Sequence, residues 1–320
     1  MSWHAWVRAP FRSLCQGQGV SVFPFLPSIL EPMAMSPQSR RAFLRRFKYL
    51  YAPAFLSAPG SYAYGSLLER HRITVERHDV KLALGARAPR TFRAVCLTDF
   101  HFDPLYEEDY VQKCIHRANE LKADVVLLTG DYISHTSKRI SDFANIIGGL
   151  EAGTGVYACL GNHDHWDRTS RVAGALNHHH IAVLQNQHTR VACQGGELVL
   201  AGLQSAWGGR PSWGDTVHGL KTDDRVLALM HEPDYASTLA LDPRVVLQVS
   251  GHTHGGQVRI PGIGALVLPT WGRKYEAGFY KVGQNLKLYV NRGIGTIQHH
   301  VRFFCPPEIT CLDILNTDVI

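Results

Sequence analysis

Asp99 and His101 stand two residues apart, and so do His252 and His254 in the run Gly251-His252-Thr253-His254. Just past the end of a strand, alternate residues point the same way, so each pair can aim two donors at one point. Between the pairs come Gly130-Asp131, Gly161-Asn162-His163-Asp164 and a single His231. Together these stretches offer two carboxylates, a neutral carboxamide oxygen from Asn162, and the imidazoles of His101, His231, His252 and His254, with His163 additional. Oxygen and imidazole donors without a thiolate suit Mn, Fe, Co or catalytic Zn, and disfavour structural zinc or Cu(I).

Such a set suits two divalent ions about 3.5–4 Å apart, bridged by one carboxylate. Asp99, His101, Asp131 and His254 would hold one ion; Asp131, Asn162, His231 and His252 would hold the other. Free imidazole changes charge near neutral pH, which makes His163 a candidate proton donor. Asp164, beside it, is a candidate to hold that imidazole in one tautomer. A lone D-x-H or G-D is commonplace. The weight lies in all of these stretches occurring in this order, the first three about thirty residues apart, one strand–helix unit each.

The elements that must position them can be read from periodicity. Residues 73–82 alternate as a first strand, and 92–97 form an apolar one. Residues 107–121 carry Val111, Cys114, Ile115, Ala118 and Leu121 on a single helical stripe. Strands over 124–128 and 155–160 alternate with helices over 141–150 and 168–177. That rhythm implies an α/β fold with parallel strands and crossover helices. The second half is richer in strands: 191–193 and 197–203 flank the turn Gln194-Gly195-Gly196, and further strands cover 226–230, 245–249, 265–268, 278–281, 286–290 and 309–314. Each main chemical stretch follows the end of a strand, where open α/β sheets bind their ligands.

Charge is unevenly distributed. The chain has 33 basic and 27 acidic residues, but residues 1–48 hold seven of the basic ones and only Glu31 on the acidic side, so the remainder is neutral. A folded domain built for nucleic acid would show its own basic surplus, and none is visible, so no nucleic-acid partner is expected. The seven cysteines are widely spaced, with no C-x-x-C, and read as packing residues. Ser39-Arg40-Arg41-Ala42-Phe43-Leu44-Arg45 is similar to a twin-arginine export signal. The competing reading is a basic segment lying on an anionic membrane surface. Residues 1–72 are thus an N-terminal extension that meets a membrane, with Met1, Met33 or Met35 as the start, and 73–320 are the catalytic domain.

Taken together, D-x-H, G-D, G-N-H-D, H and G-H-x-H over about residues 90–315 resemble the calcineurin-like metallophosphoesterases. Leu97-Thr98-Asp99-Phe100-His101, Leu128-Thr129-Gly130-Asp131, His252-Thr253-His254-Gly255-Gly256-Gln257 and the ending Asn291-Arg292-Gly293-Ile294-Gly295, Arg302-Phe303 and Pro307-Glu308-Ile309 are similar to its membrane-associated bacterial branch. That branch includes twin-arginine-exported phosphodiesterases and enzymes similar to UDP-2,3-diacylglucosamine hydrolase of lipid A synthesis. The resemblance implies a four-layer α/β/β/α sandwich with two mixed β-sheets. It also implies two divalent cations, Mn²⁺ foremost, with Fe, Zn, Co or Mg as alternatives.

The chemistry expected is hydrolysis of a phosphodiester or pyrophosphate by a hydroxide bridging the metals, with His163 serving the leaving oxygen. The expected substrate is a phosphorylated or nucleotide-linked lipid at the bacterial inner membrane, met by a monomer on the cytoplasmic face or after export. The alternatives are a phosphatase or nucleotide phosphodiesterase acting on a soluble substrate, and a metal-binding scaffold without catalysis. His165, which follows the G-N-H-D run, and Arg273 and Arg292, in loops after G-H-x-H, are candidates to meet the substrate.

Overall fold

The central strands of this chain, such as Val125–Leu128, Val226–Leu229 and Val245–Ser250, read as nearly unbroken apolar runs because they are covered on both faces. The computed structural model describes residues 58–102 and 107–319. In chain order the strands are β1 Thr74–Leu82, β2 Thr91–Leu97, β3 Val125–Leu128, β4 Val156–Ala158, β5 Ile181–Val183, β6 Gln187–Cys193, β7 Gly196–Gly202, β8 Val226–Leu229, β9 Val245–Ser250, β10 Arg259–Ile260, β11 Gly264–Ala265, β12 Gly278–Val282, β13 Leu286–Val290 and β14 Glu308–Asn316. They form two six-stranded sheets, ordered β1-β14-β2-β3-β4-β5 and β12-β13-β9-β8-β7-β6, plus the β10-β11 hairpin. Both large sheets are mixed. β2 to β5 are mutually parallel and β2 meets β14 antiparallel, while β7, β8, β9 and β13 run parallel between antiparallel β6 and β12.

Side-chain alternation then builds the layers. On β2, Val95 and Leu97 pack outward against helices Glu108–Asn119, Ile140–Ile147 and Thr169–His178, together with Val126 and Leu128 of β3. Their neighbours Ala94, Cys96, Val125 and Leu127 face the other way and meet Leu200, Leu227, Leu229, Leu247 and Val249 of the second sheet. The second sheet's outer face, with Ala228, Val245, Leu288 and Val290, is covered by Ala236 and Leu239 of a one-turn helix and by Trp213. The result is the expected α/β/β/α sandwich, with a thin outermost layer.

Several expectations change. The strand read over 265–268 is only the two-residue β11, paired with β10 outside both large sheets, and it leaves Leu266 and Val267 exposed. Short β5 and helix Asn162–Trp166 carried too few residues to show a period. Helix Ala58–Leu67, N-terminal to β1, reaches the C-terminal part of the chain. There Gly65 O accepts from Arg302 N at 3.1 Å and buried Glu69 accepts from Cys305 N at 2.6 Å. The twin-arginine-like run and the membrane segment around it lie outside the described residues. Among the described residues no helix is long and apolar enough to cross a membrane, and every cysteine is free.

Candidate metal centre

β2, β3, β4, β8 and β9 deliver their loops to one end of the two sheets. There the chain does something strands cannot. Asp99, His101, Asp131, His252 and His254 all take left-handed backbone, with φ of 53°, 48°, 54°, 73° and 51°. For non-glycine residues such backbone costs on the order of 1 kcal/mol or more each, and it persists only where the surroundings over-determine it. They do so here. Asp99 N donates to Gly130 O (2.9 Å), His101 N to Asp131 O (3.0 Å), and Gly295 N to Asp99 O (2.7 Å). The donors therefore converge through left-handed turns; the strand alternation expected for Asp99/His101 and His252/His254 is not the cause.

Glycines make the room. Gly130 needs its own left-handed φ of 96°. Gly161 and Gly251 need space instead, since a Cβ at either would overlap the carboxylate of Asp131 or Asp99 respectively.

Two clusters result. In the first, His254 Nε2 lies 3.3 Å from Asp99 Oδ1, and His101 Nε2 lies 2.9 Å from His254 Nε2 and 3.5 Å from Asp131 Oδ2. In the second, His231 Nε2 lies 3.1 Å from Asp131 Oδ2 and 3.2 Å from His252 Nδ1. Asp131 thus stands between the two. Asn162 is 1% exposed, and its carboxamide oxygen has no partner.

The hydrogen bonds on the far side of each ring test whether a cation fits. His231 Nδ1 lies 2.7 Å from Thr129 O and His252 Nε2 lies 2.7 Å from Thr270 O, so each must carry its proton there. That leaves lone pairs on His231 Nε2 and His252 Nδ1, aimed at each other and at an Asp131 oxygen. Lone pairs so close repel unless a cation or a proton lies among them. The residues fit a metal pair. Backbone carbonyls fixing the tautomers of ligating imidazoles are the usual outer support of such a site.

Electrostatics agree. Burial works against ionisation of Asp99 and Asp131, yet the facing imidazoles, chiefly His254 and His231 respectively, hold both carboxyls below their usual range. His231 is shifted well up: burial opposes its charge, but Asp131 prevails. Burial pushes His101 and His252 down.

The role expected of Asp164 is corrected. Its carboxylate accepts from the backbone N–H groups of Asp131 (2.8 Å), Tyr132 (3.0 Å) and Gly161 (2.9 Å), tying the G-D turn to the start of helix Asn162–Trp166. Burial and then the charge of Asp131 push its carboxyl up to about 8. The His163 ring is steadied elsewhere, with Nδ1 against Ser134 O and its face 4.7 Å from the Trp166 ring. The backbone N–H of His163 also donates to Asp131 Oδ1 at 2.9 Å. Its ring lies close enough to His101 and Asp131 for the three to share an ion.

The substrate candidates divide. Arg292 is engaged away from the site, with Nη2 2.6 Å from Glu76 and Nε 3.0 Å from Glu308, so its charge is already matched. His165 braces the loop after β7, packing against Gly208 and Gly209. Arg273 remains exposed, one residue beyond Gly272, which lies against the His252 ring.

Two further residues support the site in roles that the motifs did not assign. Buried Glu232 accepts from Ala206 N (2.9 Å) and Trp207 N (3.2 Å) and contacts Ser205 Oγ. Fully buried Arg302 donates to Gly295 O (2.6 Å), Arg292 O (2.8 Å) and Gly293 O (3.0 Å). The position of Glu232 directly after His231 is the local signal for the first, and the resemblance over the run Arg302-Phe303 is the signal for the second.

Comparison with known proteins agrees with this geometry. The family model described as calcineurin-like phosphoesterase matches residues 92–256. The chain is 32% identical over 288 residues to an uncharacterized metallophosphoesterase, YkuE, of Bacillus subtilis, covering 89% of this chain and 100% of that protein. It is 28% identical over 281 residues to the phosphodiesterase YaeI of Escherichia coli, covering 87% and 99%. It is also 30% identical over 232 residues to a transmembrane protein with metallophosphoesterase domain of Danio rerio, covering 68% of this chain and 52% of that one.

Proposed function

Because this chain belongs to the calcineurin-like phosphoesterase family and is a metal-dependent phosphoesterase, we propose that its two donor clusters hold two divalent cations, Mn²⁺ foremost, and hydrolyse a phosphodiester or pyrophosphate. The observation that carries this is the meeting of His231 Nε2 with an Asp131 carboxylate oxygen at 3.1 Å and with His252 Nδ1 at 3.2 Å. When bound, such a pair of cations offsets charge on phosphoryl oxygens and lowers the pKa of water to near neutrality.

The chain's own groups do the rest. Asp131 stands between the clusters, with Asp99, His101 and His254 on one side and Asn162, His231 and His252 on the other. The left-handed turns fix these donors before any ligand arrives, so little reorganisation accompanies reaction. His163 holds Nδ1 on Ser134 O, so its other nitrogen gives a proton to the leaving oxygen when the ring is the imidazolium. Diester chemistry is favoured by the likeness to a relative named a phosphodiesterase.

The finer reading is a phosphorylated or nucleotide-linked lipid, presented at a membrane that the basic stretch within residues 1–72 attracts. UDP-linked lipid lies on the cytoplasmic face, whereas a working twin-arginine signal would carry the enzyme outward. A reporter fused after residues 35–75 separates these, and export would count heavily against the UDP-lipid role. The test of the activity itself is a screen of the purified enzyme with Mn²⁺ against lipid-linked pyrophosphates, nucleotides and generic diesters such as bis-p-nitrophenyl phosphate. No metal-stimulated hydrolysis of any of them would sink the proposal.

A further inference from the structure

Beside the two clusters stands a corner of exposed aromatic rings that the hydrolytic chemistry does not require. Trp166 is 51% exposed and Trp207 is 42% exposed, although burying an indole is favourable. Their rings meet edge-to-face at 4.9 Å and 81°. Each also touches the metal centre: Trp166 lies 4.7 Å from His163, and Trp207 lies 5.7 Å from His252.

The corner is built rigidly. Trp166 ends the short helix that begins with Asn162. Trp207 rides on a loop whose backbone N–H groups at Ala206 and Trp207 are gathered by the fully buried carboxylate of Glu232, next in sequence to His231. Gly208 closes the loop onto helix Asn162–Trp166 so tightly that a Cβ there would lie 2.9 Å from Asn162 O. A buried carboxylate is expensive unless its hydrogen bonds are satisfied. Here they go to the loop that presents an exposed indole.

We infer that Trp166 and Trp207 form a binding subsite for a planar aromatic ring, such as a nucleobase, carried by the phosphoester substrate. This rests on the proposed function and narrows its substrate to a nucleotide-linked one. Two rings at nearly a right angle offer a face and an edge, the two geometries in which aromatic groups attract one another. A long acyl chain would need apolar lining that continues outward. The residues flanking the pair in sequence are instead His165 and Asp167, and Ala206 and Gly208, which offer no long apolar side chain. Stacking of one base on one aromatic side chain is worth enough to change affinity about tenfold.

The experiment uses the full chain loaded with Mn²⁺, titrated with AMP, ribose 5-phosphate and hexyl phosphate by calorimetry and tryptophan fluorescence. The expectation is that AMP binds about tenfold more tightly than ribose 5-phosphate and quenches fluorescence, with hexyl phosphate no tighter than the sugar phosphate. Trp207→Ala should bring AMP down to ribose 5-phosphate, while Trp207→Phe, which keeps a ring, should retain most of the preference. Equal binding of AMP and ribose 5-phosphate by the wild type would overturn the inference, as would equal weakening of both by Trp207→Ala. Tightest binding by hexyl phosphate would replace the ring with an aliphatic chain. These readouts need no turnover, so a ring preference in a protein that hydrolyses nothing would count against the phosphoesterase reading and leave the subsite standing.

Discussion

The carboxylate of Asp164 accepts the backbone N–H of Asp131 at 2.8 Å, across 33 residues of sequence. It therefore acts on Asp131 through the main chain, by holding the left-handed turn that Asp131 occupies. Asp164→Ala would leave buried N–H groups at Asp131, Tyr132 and Gly161 without partners, at a cost of about 2–5 kcal/mol. Urea unfolding should show this loss at nearly the same size in a His163→Ala background, because the two side chains do not share a contact. If the loss vanished there, Asp164 would be an orienter of His163 after all.

Asp131→Asn removes the charge that both clusters face. The variant should retain little metal by ICP-MS, and chelation should no longer move its Tm. Chelating the wild type should lower its stability by about 3 kcal/mol if free metal stands near 100 times Kd. Equal responses to chelator in both proteins would show that the ions do not depend on this carboxylate.

His163→Ala should keep both ions and lose about 10²–10⁴ in kcat on an ester with a poor leaving group, with a smaller loss on an activated aryl ester. Wild-type turnover of the unactivated ester would remove the acid role. Loss of one ion would instead make His163 a ligand, which its nearness to His101 and Asp131 permits.

Arg302 is a fully buried cation held by main-chain oxygens, among them Gly293 O and Gly295 O. Those residues lie against Asp99: Gly295 N donates to Asp99 O, and a Cβ on Gly293 would lie 2.7 Å from the Asp99 Cβ. Arg302→Met should cost at least about 2 kcal/mol by leaving carbonyls unpaired, and it should weaken metal binding. Arg302→Lys, which keeps the charge but not the fork of donors, should recover only part of either. Full recovery by lysine would mean that charge alone matters there.

Away from the site, Asp242 gathers the Trp213 indole N–H at 2.9 Å and the Arg244 guanidinium at 2.6 Å. Burial opposes its ionisation, but these bonds hold its carboxyl at about 2. A folded pKa below the unfolded one stabilises above the unfolded value, and the contribution fades as pH falls through the folded value. The contribution should be about 1–2 kcal/mol, present at pH 5 and lost between about pH 4 and pH 2. Asp242→Asn should flatten that part of the Tm–pH curve, and an unchanged slope would show the pair to be idle.

Donor types and strand phase were legible because both are local. A carboxylate or imidazole is named by its letter, and the nearly unbroken apolar runs of β3, β8 and β9 call for strands buried on both faces. From these came an α/β chain with parallel strands and the donor set around Asp131, while the two-sheet sandwich followed from the resemblance to the metallophosphoesterases. What only the folded chain decided depends on partners far apart in sequence. Arg292 looked open to a phosphate until Glu76, 216 residues earlier, was seen beside it at 2.6 Å. Asp164 looked like the neighbour of His163, but adjacent helical side chains diverge, and its carboxylate reached the G-D turn instead. Trp207 carried no motif; it gained a place because Glu232 gathers its loop. The chain's chemistry is written residue by residue, whereas which of those residues meet is set by long-range packing that no local period encodes.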